Sequence, residues 1–158
     1  MSEDIKQELD TTQANPLDLA ADVAKHVQLI NVVLDTIRAT RLHDLDVAKN
    51  DYNIENNIDN VGFQFNKVAQ LIQVRASFSL KLVPQSEESC QSEDPLSIQA
   101  SFVLIYSVDT TEYLTEANIQ AFAAINGVFN AWPYWREFIQ NTGARMGAPG
   151  IVVPVFRL

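Results

Sequence analysis

The sequence predicts an α+β subunit: a four-stranded antiparallel sheet, run as a meander, followed by two helices. Three observations point there. From Ile72 to Leu82 every even position is apolar (Ile72, Val74, Ala76, Phe78, Leu80, Leu82) and the odd ones from Gln73 to Lys81 are polar, so a long strand has one dry face and one wet face. The same alternation returns from Leu96 to Tyr106. Beyond Leu114 the apolar spacing changes to three and four residues, the period of a helix that buries one side.

Taken in order, residues 1–14 read as a flexible acidic tail with Glu3, Asp4, Glu8 and Asp10, and residues 15–158 as one domain. Asn15 and Pro16 suit an N-cap and a first helical position, and Leu17, Ala20, Ala21, Ala24 and Val27 follow at helical spacing. A short helix is expected over 16–28. A strand is expected over 29–40, where Ile30, Val32 and Leu34 alternate while Val33 and Ile37 add apolar surface on the other side. Residues 47–60 are rich in Asn and Asp and read as loop, although Tyr52, Ile54 and Ile58 would allow part of it to be strand. Val61, Phe63 and Phe65 give a better strand signal. An acidic, serine-rich connection over 84–95 joins the two long alternating strands, and Val103 and Ile105 make the end of the second apolar on both faces.

Thr115 can cap the first of the two final helices, which carries Ile119, Phe122, Ile125 and Phe129. Pro133 breaks an internal helical bond but suits a first turn, so a second helix is expected to begin there. It carries Tyr134, Trp135, Phe138 and Ile139 and ends near Met146-Gly147, with Pro149 beyond. Residues 151–156 are expected to lie extended over apolar surface. The chain contains no internal repeat.

Composition narrows function by exclusion. The chain has 158 residues, 47% of them apolar and 20% charged, which fits one folded domain. Eleven basic against twenty acidic residues leave a formal charge of -9, which argues against nucleic acid and anionic membranes as partners. Cys90 is the only cysteine, so no internal disulfide can form. No signal peptide and no apolar run of about 18 residues is apparent, and a cytoplasmic protein without membrane insertion is the expectation.

Catalytic groups are scarce. His26 and His43 are the two side chains that titrate near neutrality, and both read as surface histidines. Glu88 and Glu93 beside Cys90 oppose thiolate formation. Asp44, Asp46 and Asp51 lack the ligand spacing and turn glycine of a calcium loop. With five glycines and no glycine-rich phosphate loop, the chain is expected to be no enzyme and to take no metal or cofactor. What stands out instead is apolar surface in excess of what one small sheet can hide. Phe122 and Ile125 read as core, and the run from Phe129 to Trp135 as an interface or an exposed groove.

The run Phe129-Asn130-Ala131-Trp132-Pro133-Tyr134-Trp135-Arg136-Glu137-Phe138, with Arg145-Met146-Gly147-Ala148-Pro149 and the Val153-Pro154-Val155 end, resembles the SecB family of protein-export chaperones. In that family an aromatic-Pro-Tyr-x-Arg-Glu element is followed by a Gly-x-Pro segment and an extended Pro-containing tail. The match covers the last thirty to forty residues or so; the rest agrees in architecture. The resemblance implies a homotetramer built as a dimer of dimers, with long apolar grooves that hold unfolded clients. Some relatives guard an aggregation-prone antitoxin, and others hand preproteins to the SecA motor. The familiar exporters continue into a further helix and a basic, metal-contacting tail that docks SecA, so that mode of docking is not expected here. The helix over 16–28 has no counterpart in the resemblance.

On this basis the chain is expected to be an ATP-independent holdase that keeps unfolded chains or preproteins translocation-competent. The alternative is a dedicated adaptor for one partner, such as an antitoxin in a toxin–antitoxin system. Val61, Phe63, Phe65, Phe129, Trp132, Tyr134 and Trp135 are the expected client-binding residues. Arg136 and Glu137 are expected to serve the structure, as ion pairs or caps. A third reading, a ligand-binding cup, requires a closed pocket with convergent polar groups.

Overall fold

The computed structural model describes residues 14–42, 45, 51–85 and 94–157. The expected acidic tail up to residue 13, His43, Asp44, Asp46, and Cys90 with Glu88 and Glu93 lie outside the described residues.

Alternation in the two central strands organises the molecule. β3 (Leu71–Pro84) and β4 (Leu96–Val108) pair antiparallel, with Ile72 opposite Tyr106, Ala76 opposite Phe102 and Leu80 opposite Ile98. Directly paired residues share a face, so the even positions of both strands form one sheet face, and from Ile72 to Leu82 and from Leu96 to Val108 all of them are buried. β2 (Tyr52–Asn66) pairs with β3 on one side and β1 (Val27–Arg41) with β4 on the other, giving the order β1-β4-β3-β2.

The four-stranded antiparallel sheet agrees with expectation, and its order corrects the meander. Only β2, β3 and β4 run as one; β1 lies at the far edge beside β4, a Greek-key arrangement. Chemistry accounts for the placement. β1 and the end of β4 are apolar on both faces, whereas β2 is polar and suits the opposite edge. β1 also carries two irregularities, at Ile30 and at Asp35. Each re-phases the alternation, and Leu29, Val32, Leu34 and Ile37 end up opposite Tyr106, Leu104, Phe102 and Ala100, on the dry side of the sheet.

Residues 52–60 are strand rather than loop. The Asn-rich segment faces solvent along much of its length, and β3 supplies a straight template of backbone partners that overrides its local composition. An irregularity between Ile58 and Asn60 turns Asp59 out, where Ser79 donates to its carboxylate at 2.7 Å.

Helices cover the dry face. α1 (Pro16–Ala24) is capped by the Asn15 side chain and packs Ala20 and Val23 inward, beside α2 (Glu116–Phe122). It is shorter than expected because Val27 and Gln28 pair with Val108 and Ser107 as the start of β1. Thr115 and Asn118 form a reciprocal capping box at the start of α2.

The expected break at Pro133 does not occur. α2, a π turn at Ala123–Gly127 and α3 (Val128–Arg145) keep right-handed helical dihedrals at their junctions, forming one helical path from residue 116 to 145. Pro133 removes one backbone donor. The carbonyl it leaves without a helical partner belongs to Phe129, and both residues are exposed, so water can satisfy it. After α3, Gly147 adopts φ of 77° and the Ala148 amide bonds back to the Gly143 carbonyl at 2.9 Å, closing the helix and turning the chain into an extended strap over 151–157.

The π turn comes closest to the sheet at Gly127, where an added Cβ would lie 2.6 Å from Val74 Cγ1. A β-branched side chain at a buried strand position has little room to yield. Gly127→Ala is expected to lower unfolding stability by about 1–3 kcal/mol, despite alanine's better helix propensity. Adding Val74→Ala should recover part of that loss; urea melts of the two single variants and the double variant measure both effects.

Candidate client-binding surface

α3 buries Val128, Ala131, Trp132, Trp135, Ile139 and Gly143, a stripe at three- and four-residue spacing. Its centre rests on Phe78 of β3. The Trp135 ring stacks on Phe78 at 5.5 Å and Trp132 meets it edge-on at 5.7 Å. Both indole donors are satisfied: Trp135 Nε1 donates to Asn56 Oδ1 at 2.8 Å and Trp132 Nε1 to the Pro154 carbonyl at 2.7 Å. Trp132 and Trp135 are therefore core residues in this subunit, 7% and 0% exposed, and not the lining of an open groove. The reason is their spacing. With Val128 and Ile139 they complete one buried helical face, and each indole reaches a polar partner at its edge.

The remaining members of the aromatic run separate. Tyr134 and Phe138 lean on Phe102 of β4, both with centroids 6.4 Å away. Phe129 lies roughly 140° from Tyr134 around the helix axis. These two rings are 54% and 44% exposed for Phe129 and Tyr134, on opposite flanks of α3. Val61, Phe63 and Phe65 sit on the dry face of β2, half-buried against the core. The seven expected residues thus do not converge on one cleft. Arg136 and Glu137 stay within the fold: Arg136 Nε donates to the Val153 carbonyl at 2.9 Å, and the Glu137 carboxylate accepts from Asn141.

The open apolar surface lies elsewhere as well. α3 covers β3 and β4 but leaves part of the dry side of β1 open: Val27 and Val32 are half-buried against the core, whereas Leu34 is 40% and Ile37 57% exposed. Leu34 pairs with Phe102, the residue under Tyr134 and Phe138, so a shelf runs from the α3 flank to the edge of β1. Leu29 extends it, and Ile30 and, on the other face, Val33 are also exposed. Ile54 and Ile58 form a smaller patch on β2. The signal for the β1 shelf was present in its two-sided apolar pattern, which exceeds what an edge strand needs for one covered face.

Polar chemistry on this surface is sparse. Among the described residues no group of three or more His, Cys, Asp or Glu is placed to hold a metal ion, and no helix is long and apolar enough to cross a membrane. His26 is half-buried; its Nδ1 lies 3.1 Å from an Asp109 oxygen and its ring stacks on Tyr113, and nearby Asp22 pairs with Lys25 at 3.0 Å. Burial pushes the Tyr106 phenol up, against a smaller opposing effect of the bond from Asn130 at 3.0 Å.

No protein-family model matches this chain, and no curated protein matches it. Among solved structures it resembles the Mycobacterium tuberculosis Rv1957 SecB-like chaperone, in complex with a ChAD peptide from the Rv1956 HigA1 antitoxin. The TM-score is 0.78 at 18% identity, over 89% of this chain and 98% of that chain. A protein of unknown function from Streptococcus agalactiae gives a TM-score of 0.37 at 9% identity, over 81% and 96% of the two chains, too slight to carry an argument. The subunit has the SecB-like fold.

Burial of both tryptophans has a direct spectroscopic consequence. Acrylamide should quench the native fluorescence only weakly, several-fold less than in urea-unfolded chain. Trp135→Ala should cost stability, about 3–5 kcal/mol in a denaturant melt, rather than act at the surface alone.

Proposed function

We propose that this chain is a chaperone that holds unfolded polypeptide, without nucleotide and without catalysis. One observation carries the reading: beyond a closed core, Leu34, Ile37, Phe129 and Tyr134 remain in water on a SecB-like subunit. Exposed apolar area of this kind marks a surface that another chain covers. A client that removes about 400 Å² of apolar area gains roughly 10 kcal/mol gross at ~25 cal/mol per Å², from which ordering and association costs are subtracted. Capture without an energy source suffices, because holding competes kinetically with aggregation.

Two kinds of occupant share the surface in this reading. Copies of the subunit cover the β1 shelf and its free edge in a tetramer, since a long apolar edge strand left bare invites pairing. Clients take the α3 flanks together with Val61, Phe63 and Phe65 on β2. The charge of -9 per subunit keeps such an assembly dispersed and draws basic clients. The site of action is the cytoplasm, with preproteins among the clients and SecA as recipient in the export role. The second reading, a dedicated adaptor for an antitoxin, is favoured by the peptide that the Rv1957 chaperone holds.

Phe129→Ser combined with Tyr134→Ser should reduce suppression of aggregation of a denatured client by at least several-fold, with the melting temperature little changed. Ile37→Asp should lower the mass measured by light scattering. Full holding activity in the first variant contradicts the assignment of the flanks, and an unchanged mass in the second contradicts that of the shelf. Suppression across unrelated clients marks the general holdase; activity on one partner marks the adaptor.

A further inference from the structure

The strap beyond α3 is bound in an unusual way. Ile151 and Val153 are buried, Val152, Pro154 and Val155 are exposed, and the Phe156 ring lies 5.1 Å from Trp132. Among the described residues, Ile151–Arg157 make no backbone–backbone hydrogen bond. The strap is fixed instead by two side-chain donors one helical turn apart on α3, Arg136 Nε to the Val153 carbonyl and Trp132 Nε1 to the Pro154 carbonyl. Its entry is a turn with two glycines of positive φ, Gly147 at 77° and Gly150 at 88°.

These contacts select for little besides shape. Carbonyl oxygens are the same in every peptide, and sockets for small apolar side chains two residues apart accept Val, Ile or Leu alike. Recognition of an extended segment through main-chain groups and alternate side chains is a general mode of peptide binding. An unfolded chain presents such segments in abundance.

Resting on the chaperone reading, we infer that the Trp132–Arg136 flank of α3 is a binding site for extended apolar polypeptide, in which the strap over 151–156 is the resident occupant that a client segment displaces. The strap keeps the flank dry while no client is present. Its tethered presence lowers the apparent affinity for any competitor in proportion to the fraction of time the site is filled. Client capture then exchanges one extended segment for another, and the glycine turn absorbs the change of path.

The test uses a fluorescent peptide of sequence Gly-Ile-Val-Val-Pro-Val-Phe-Arg, which copies residues 150–157. Val153→Asp in the full chain places a charge in the buried socket and expels the strap. It is expected to bind the peptide at least tenfold more tightly than the parent chain, and a peptide with Asp at the Val153 position should not bind. Equal or weaker binding by a folded Val153→Asp chain overturns the site. A second measurement covers failure of that variant to fold: a nitroxide on Val155→Cys, in a Cys90→Ser background that leaves one labelling site. Reduced, carboxymethylated α-lactalbumin as the unfolded client should sharpen the spectrum as the strap is released. An unchanged or broadened spectrum overturns the inference. If the parent chain suppresses aggregation while the spectrum stays unchanged, the displacement falls and the chaperone reading stands. If no client is held at all, the reading falls, and peptide binding to Val153→Asp still decides the site.

Discussion

The structure depends on the packing of two tryptophans against one phenylalanine. Phe78 lies at the middle of the dry face of β3, and Trp132 and Trp135 close over it from α3. Aromatic rings of this size bring the largest apolar area to a core, and each indole must find an acceptor when buried. Trp135 finds one on β2 and Trp132 on the strap. One cluster therefore ties together the central strand, the far strand, the long helix and the chain end. It also fixes where α3 lies, over β3 and β4, and thereby what α3 cannot reach.

What it cannot reach is β1. A sheet four strands wide exceeds the breadth of one helix, and α1 and α2 pack on one another. Leu29, Leu34 and Ile37 on the dry side of β1 are left facing water even though they are as apolar as the core, while Val27 and Val32 reach it in part. Within one subunit this is an unfinished layer. In the chaperone reading proposed above, that unfinished layer is the functional feature, because other chains would complete it.

Much of this was legible in the sequence. The alternation in β3 and β4 names every buried residue of the two central strands that faces the helices, and the Gly147–Pro149 stop marks the end of α3. Three misreadings share a cause. Residues 52–60 look like loop because Asn and Asp disfavour strands locally, yet β3 imposes the pairing. Pro133 looks like a boundary because the rule for proline is local, yet Trp132 and Trp135 hold the helix through it. The tryptophans look like open lining because large rings in a surplus suggest an interface. Their spacing with Val128 and Ile139, four, three and four residues, already places them on one helical face. Tertiary partners decided each case, and a window of neighbouring residues does not contain them. The place of β1 beside β4 rests on pairing between residues about 70 apart in sequence and was not readable from any local pattern.

The central claim is that bare apolar area on this subunit takes up unfolded chain. Calorimetric titration of a permanently unfolded polypeptide into the protein, repeated at several temperatures without nucleotide, tests it most directly. Burial of apolar surface predicts saturable binding with a clearly negative heat-capacity change. No binding, or binding whose enthalpy does not vary with temperature, would contradict it.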